Sequence, residues 1–463
     1  MKTALSLLIA LLLCTTATAQ GLPADTIKKP NILFIFVDDM GYGDLGFTGS
    51  TQIRTPNLDR LASEGIVFPQ AYVTAPVCGP SRAGLLTGRY QQRFGFETNP
   101  HGGPHIRPEM VGLHLREKTL GDRMQSCGYH TACIGKWHMG YEDHFYPTQR
   151  GFDYFFGMRG GGHRYFPELG RSENTRMWYV DFALERMGTM LEEVEEPYLT
   201  DWLTSDAIDY LDRREEQDDK PWFMYLSYNC PHGPLQAKEE DIARYPDVEP
   251  AGRRTYCAMI DCLDQNVGRL LAHLEATGEA DNTVIFFLND NGGSTETVYA
   301  LNAPFWGHKG TFWEGGIRVP MFIHGLDGLD PGTYDQPVSA LDFMPTMMAI
   351  GGKTFVPETV TQRGQEVPVI YDGVDLLPFL RGEMGDERPH PQLYWRMMSR
   401  GSAMREGDWK LIFTPFSAPQ LFDLANDPAE RNDLAAEHPD IVSRMMTAHS
   451  EWVQTHEQAP MWL

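Results

Sequence analysis

Cysteine is scarce in this chain: seven residues in 463, none in the closely spaced pairs that build zinc ribbons or disulfide-stapled scaffolds. Setting aside Cys14 and Cys78, the remaining Cys127, Cys133, Cys230, Cys257 and Cys262 are odd in number, which argues against a disulfide framework. Cys257 and Cys262 fall within an amphipathic helical pattern and read as small buried apolar residues. No N-x-S/T sequon occurs, which weighs against a eukaryotic secreted or lysosomal source and favours a bacterial one. Basic residues are also short, 39 Lys and Arg against 63 Asp and Glu, for a formal net charge of −24. Nucleic acid and anionic membrane surfaces are thereby excluded as general partners, because both would be repelled. There is no fixed-period repeat, no low-complexity tract and, after the first twenty residues, no apolar run long enough to cross a bilayer.

The first nineteen residues do carry a short apolar run. Lys2 supplies a positive start, Leu5 to Leu13 the apolar stretch, and Ala17-Thr18-Ala19 a small-residue cleavage site, so 1–19 is expected to be a signal peptide. Cys14 follows three leucines rather than the small residue of a lipoprotein anchor. The mature protein is therefore expected in the periplasm or outside the cell, without stable membrane insertion.

The remaining length exceeds one ordinary core, so a large unit with a smaller appendage is expected, with 28–380 as the first and 381–463 as the second. Asn31 to Val37 is a continuous β-branched and aromatic run of the kind buried on both faces of a parallel sheet. Similar runs at Trp222 to Tyr228, Thr283 to Leu288 and Val319 to Ile323 alternate with helical patterns, including Pro56 to Ser63 and the series Tyr256, Met259, Leu263, Val267, Leu270, Leu274. This alternation predicts an α/β architecture with a large, mostly parallel sheet between helices. From Pro391 onward, strand patterns at Leu393 to Arg396, Ser402 to Arg405 and Trp409 to Phe413, then a helical tail from Asp427, predict a small antiparallel sheet with a packed helix.

Ligands of parallel sheets bind at the carboxyl ends of strands, and there the chain places Asp38-Asp39 and Asp290-Asn291. Four oxygen donors suit a hard cation, Ca²⁺ or Mg²⁺, although either pair alone also fits a turn or helix cap. Cys78 opens the string CGPSRAGLLTG, expected to start a helix whose amides face an incoming anion, with Arg82 one turn inward. Lys136 and His138 in GKWHMG are spaced two apart, able to point the same way if that piece is extended. His232 in CPHGP and Lys309 in GHKGTFWEGGIRVP complete the set of candidates.

The Cys78 string matches every fixed position of the C-x-P-S-R-x-x-x-L-T-G signature, and the chain from Asn31 to Glu430 resembles the type I, formylglycine-dependent sulfatases of the alkaline phosphatase superfamily. The resemblance implies that a maturation enzyme converts Cys78 to formylglycine, that Ca²⁺ ahead of Mg²⁺ is held by Asp38, Asp39, Asp290, Asn291 and the modified position 78, and that Arg82 supports the nucleophile. It further implies that Lys136, His232 and Lys309 bind sulfate, that the hydrated aldehyde is sulfated covalently, that His232 or Lys309 protonates the leaving alcohol, and that His138 removes the proton that lets the aldehyde re-form. The implied activity is hydrolysis of a sulfate ester, on a sulfated carbohydrate derived from a polysaccharide. Two other readings share these residues: a phosphonate or phosphodiester hydrolase of the same superfamily, and a carbohydrate-binding protein in which Cys78 is never matured. The loop Arg159 to Arg164, with Arg159, His163 and Arg164, and the histidines His101 and His105 are candidate pocket walls.

Overall fold

The computed structural model describes residues 28–100, 108–167, 183–215, 219–356, 358–362, 365–397 and 400–456. The expected signal peptide and the candidates His101 and His105 lie outside the described residues.

A ten-stranded mixed sheet forms the centre. Five neighbouring strands in it run parallel, in the order Thr283–Asn289, Asn31–Asp38, Trp222–Pro231, His130–Lys136 and Tyr154–Met158. The antiparallel Met321–His324 strand extends one side, and the short hairpin of Glu185–Arg186 and Thr189–Met190 closes the other. The Asn31–Asp38 strand is buried throughout, and its alternation decides which side chain serves which layer. Ile32, Phe34 and Phe36 join the layer holding the helices Cys78–Thr87 and Phe343–Ile350, whereas Leu33, Ile35 and Val37 join the layer of Leu199–Glu215 and Ala251–Ala276. Both faces need apolar residues, which is why this strand reads as a continuous hydrophobic run.

Beyond the large sheet, four antiparallel strands, Gln392–Met397, Gly401–Glu406, Trp409–Phe413 and Gln420–Asp423, pack against the helix Pro439–Val453. The helical tail therefore starts twelve residues later than the pattern from Asp427 predicts. Asp427 explains the delay, since its carboxylate accepts from the Arg431 and Asn432 amides, a local turn that competes with helix, and Glu430 sits at φ 55°. No helix among the described residues is long and apolar enough to cross a membrane. All described cysteines carry free thiols, and all are buried.

Candidate active site

The parallel strands deliver the candidate residues to one place. Asp38 is the last residue of its strand, paired in register with Pro231; Val37 pairs with Asn289, one residue before Asp290; and Lys136 ends a strand on the far side of Trp222–Pro231. The helix Cys78–Thr87 points its N-terminus at this convergence, all ten of its residues buried. Asn99 Oδ1 accepts from the Gly79 amide at 2.8 Å, so the first turn is held from outside the helix.

Arg82 is wholly buried and carries the site's internal scaffold. Its guanidinium donates to Asp290 Oδ2 from Nε and Nη2 at 3.1 and 2.9 Å, to Ser227 Oγ at 2.6 Å and to the Lys136 carbonyl at 3.3 Å, and lies over the Phe36 ring. A lysine could not supply this planar fork. Lys136 Nζ pairs with Asp38 Oδ2 at 2.5 Å, with both side chains fully buried. Lys309 Nζ reaches Asp39 at 2.7 Å, and His232 Nε2 stands 3.7 Å from the same carboxylate. Asn291 Nδ2 donates to Asp39 Oδ1 at 2.7 Å.

These neighbours set the ionisation of the site. Burial alone would raise the Asp39 carboxyl, but Lys309, His232 and the hydrogen bonds from Lys309 and Asn291 bring it down to about 2. Asp290 goes the other way, up to about 7, because burial and the adjacent Asp38 outweigh Arg82 and Lys136. Burial pushes the Cys78 thiol up to about 12 against the pull of Lys136 and Lys309, so an unmodified thiol there is protonated and a poor nucleophile at neutral pH. His138 is held well below the ordinary histidine range by burial and by Lys136 and Arg82, and His232 is brought down to about 4 by burial and Lys309. Both imidazoles are therefore neutral. His232 Nδ1 bonds to the Gly233 carbonyl, which can only accept, so the proton sits on Nδ1 and Nε2 faces the site as an acceptor.

Whether a hard cation fits can be judged from the donors. Asp38, Asp39 and Asp290 each present a carboxylate oxygen within 4.8 Å of the others, and Asp38 also groups with Cys78 and His232. Asp38 Oδ1 and Asn291 Oδ1 are buried and accept no hydrogen bond. Two such oxygens are costly to bury unless something positive meets them. The all-oxygen set fits Ca²⁺ or Mg²⁺. With a divalent ion keeping Asp290 ionised, the carboxylates of Asp38, Asp39 and Asp290 match the cations Arg82, Lys136 and Lys309, so the ion's own charge would leave the cleft positive and ready for an anion.

One local expectation changes. The Lys136–His138 piece is not extended: the strand ends at Lys136, Gly135 is at φ 106° and His138 at φ 59°. His138 still reaches the cleft, because that left-handed turn swings it back under the loop at Gly161. A Cβ on Gly161 would lie 2.8 Å from His138 Nε2, so a side chain there would force the imidazole to shift, and the glycine leaves room for the histidine where it stands. Asp39 is likewise at φ 64°, so two chemical residues sit in a backbone region unfavourable to them. Arg159, by contrast, turns from the cleft to pair with Glu185 and Asp143, and His163 bonds through Nδ1 to the Arg164 carbonyl. The loop thus meets the site at Gly161, beside His138, while Arg159 is held in structural ion pairs.

Motif reading does not single out Ser227 and Tyr225, which approach Arg82 Nη1 at 2.6 and 3.5 Å from the middle strand. A serine among buried strand residues is their one signal. Equally silent in the sequence is the support under Lys309. Its loop is knotted by Gly292, whose Cβ would fall 1.8 Å from the Gly315 carbonyl, and by Glu314, which pairs with Lys410 of the C-terminal sheet at 2.8 Å.

Parallel strands that converge on buried carboxylates, with a cysteine-headed helix and a lysine–histidine rim, define a hydrolase for anionic esters. The comparisons narrow this: a sulfatase family model matches residues 30–353, and the chain belongs to the sulfatase family, the sulfuric ester hydrolases. It is 30% identical over 483 residues to N-acetylgalactosamine-6-sulfatase of Homo sapiens, covering 95% of this chain and 87% of that protein. Arylsulfatase J of Mus musculus is 30% identical over 470 residues, covering 92% and 76% respectively. The crystal structure of Ps i-CgsB in complex with k-i-k-neocarrahexaose is 35% identical, with a TM-score of 0.84 over 94% of this chain and 95% of that one. A phosphonate monoester hydrolase of Agrobacterium radiobacter shares the fold at 22% identity and a TM-score of 0.64.

Proposed function

We propose that this sulfatase removes sulfate from a sulfated carbohydrate of polysaccharide origin, as an exported enzyme whose Cys78 is converted to formylglycine by a maturation enzyme and whose acidic cluster holds Ca²⁺. The observation that carries the reading is the grouping of buried Cys78, Asp38, Asp39, Asp290 and Lys136 with half-buried His232 and Lys309 at the strand ends. The neocarrahexaose bound to Ps i-CgsB and the sugar sulfate named for the human relative support a carbohydrate. We assign 28–380 to catalysis and 381–463 to bracing it.

Asp38, Asp39, Asp290 and Asn291 would hold the cation, which supplies a fixed positive charge at the sulfate. Formylglycine, as its hydrate, supplies a hydroxyl nucleophile at position 78 and a second hydroxyl through which sulfate can be released. Around these, Lys136 and Lys309 offset the charge of the sulfate and fix its orientation, electrostatic preorganisation that costs no rearrangement when the ester arrives. Arg82 keeps Asp290 and the Lys136 backbone in place. His138 is the base, because its neutral imidazole has a free ring nitrogen to take up the proton. Lys309 at Nζ holds a proton for the departing alkoxide, whereas His232, unprotonated at Nε2 in the free cleft, can serve only after it has taken one up.

Leaving-group dependence separates those two. Loss of the true acid is expected to cost about 10²–10⁴-fold on a sugar sulfate, and far less on 4-nitrophenyl sulfate, whose phenolate leaves unaided. His232→Ala and Lys309→Ala are to be compared on both, and on a phenyl phosphonate. A sugar sulfate turned over no faster than the phosphonate would overturn the assignment in favour of the phosphonate reading. A separate expectation concerns the cation. Chelated protein should lose activity and melt at a lower temperature, both restored by Ca²⁺, whereas Asp38→Asn should melt at the same temperature with or without Ca²⁺. Full activity in protein free of metal by elemental analysis would remove the cation from the account.

A further inference from the structure

The excursion between Asn291 and Glu314 exposes apolar surface beside the active site. Trp306 is 58% exposed and Leu301 47%, whereas Trp137, Trp202, Trp222 and Trp395 are fully buried. A large indole left in water calls for a reason. It is not on a loose loop: the Trp306 carbonyl accepts from the Gly315 amide at 2.7 Å, and Asn302 Nδ2 bonds to the Gly293 and Gly307 carbonyls at 2.9 and 3.2 Å. Phe305 beneath it is fixed between the Tyr42 ring, 4.6 Å away, and the Arg318 guanidinium, 4.3 Å away. Trp306, Trp313, Phe305, Asn302 and His308 line a recess of about 340 Å³, the scale of a small-ligand site.

The recess adjoins the catalytic cleft through one peptide bond. His308 lines the recess, whereas Lys309 turns into the cleft and meets Asp39. His308 Nδ1 bonds to the Lys309 carbonyl at 2.9 Å, which places the proton on Nδ1 and leaves Nε2 as an acceptor. An amphipathic wall, with a rigid aromatic face and an acceptor at its edge, suits a molecule with one C–H face and a rim of hydroxyls. That molecule is a sugar ring.

We propose that this recess binds the saccharide unit next to the one that loses its sulfate, with Trp306 stacking on the ring face and His308 Nε2 accepting a ring hydroxyl. The inference rests on the carbohydrate reading above and extends it: the enzyme recognises at least two units of a chain, not an isolated sulfated sugar.

The test is an equilibrium titration in a Cys78→Ala background, loaded with Ca²⁺, which has no nucleophile at position 78 and so leaves bound oligosaccharide intact. The probes are a panel of sulfated hexasaccharides, neocarrahexaose among them, the matching sulfated monosaccharides, and inorganic sulfate. Trp306→Ala is expected to weaken binding of the accepted hexasaccharide by roughly tenfold, with Trp306→Phe recovering most of the loss, while the affinity for inorganic sulfate stays the same. His308→Ala should show a smaller loss of the same selectivity. Equal hexasaccharide affinity in Trp306→Ala and its parent would overturn the recess proposal alone. Failure of the parent to bind any member of the panel, with sulfate still binding, would overturn the carbohydrate reading and the recess with it.

Discussion

Cys78→Ser abolishes multiple turnover on a sulfate ester, the largest effect expected of any single substitution in this protein. The residue heads a buried helix whose first turn faces the cations Lys136 and Lys309, so a serine hydroxyl there sits in the same field and can accept a sulfo group. It has no second hydroxyl through which an aldehyde could re-form, and release of sulfate would need attack by water. The expected record is at most a single, stoichiometric release of alcohol and then nothing. Sustained turnover by the serine variant at the parent rate would show that release does not depend on a modified cysteine.

The second large effect lies outside the cleft. Lys410 sits between Glu314 and Glu430 at 2.8 and 2.7 Å, and all of these side chains are fully buried. Tyr72 joins the group by donating to Glu314 at 2.6 Å while accepting from Arg405. Removing the lysine leaves two buried carboxylates facing each other, so Lys410→Ala should destabilise the fold by about 3–5 kcal/mol. A loss below about 1 kcal/mol in denaturant titrations would mean that the cluster does not brace the fold.

The same cluster has a pH signature with a defined sign. Burial, and then the charge of Glu314, outweigh Lys410 and push the Glu430 carboxyl up to about 7, while Lys410, Arg318 and Arg405 overcome burial and bring Glu314 down to about 2. A carboxyl whose folded value lies above its unfolded one, about 4.3, favours the folded state only while it is protonated. Its contribution is thus complete below pH about 4.5 and is lost as pH rises towards 7. The stability of the parent relative to Glu430→Gln should therefore fall across that window, as measured by denaturant titrations at several pH values. A constant difference would refute the assignment.

Much of the architecture is legible from local pattern because both layers bury the same strands. The Asn31 to Val37 run and the Pro56–Ser63 helix follow from local pattern that no tertiary contact overrides, whereas the Cys78–Thr87 helix, buried all round, is expected from its signature string alone. The cleft is legible for a different reason: its residues stand at strand ends or helix starts, where chain direction alone brings them together. What escapes the pattern depends on partners far away in sequence. Nothing near Lys136 announces that Gly135 and His138 leave the extended region, since their close neighbours, the Ser227 carbonyl and Gly161, come from other strands and loops. Nothing near Arg159 tells that Glu185 will claim it. Lys410 reads as a surface lysine in an alternating strand until Glu314 and Glu430 are brought to it across about 100 and 20 residues of chain. The Gln420–Asp423 strand is too short to show a period, and is defined by its pairing with Trp409–Phe413.

The central claim is that the residue at position 78 acts as formylglycine and not as cysteine. Mass spectrometry of the peptide containing residue 78, on protein produced with and without a formylglycine-generating enzyme and assayed for sulfate release in parallel, tests it most directly. The account predicts an aldehyde at residue 78 in the active preparation and activity proportional to the fraction converted. Full activity in protein whose residue 78 is entirely thiol would contradict it.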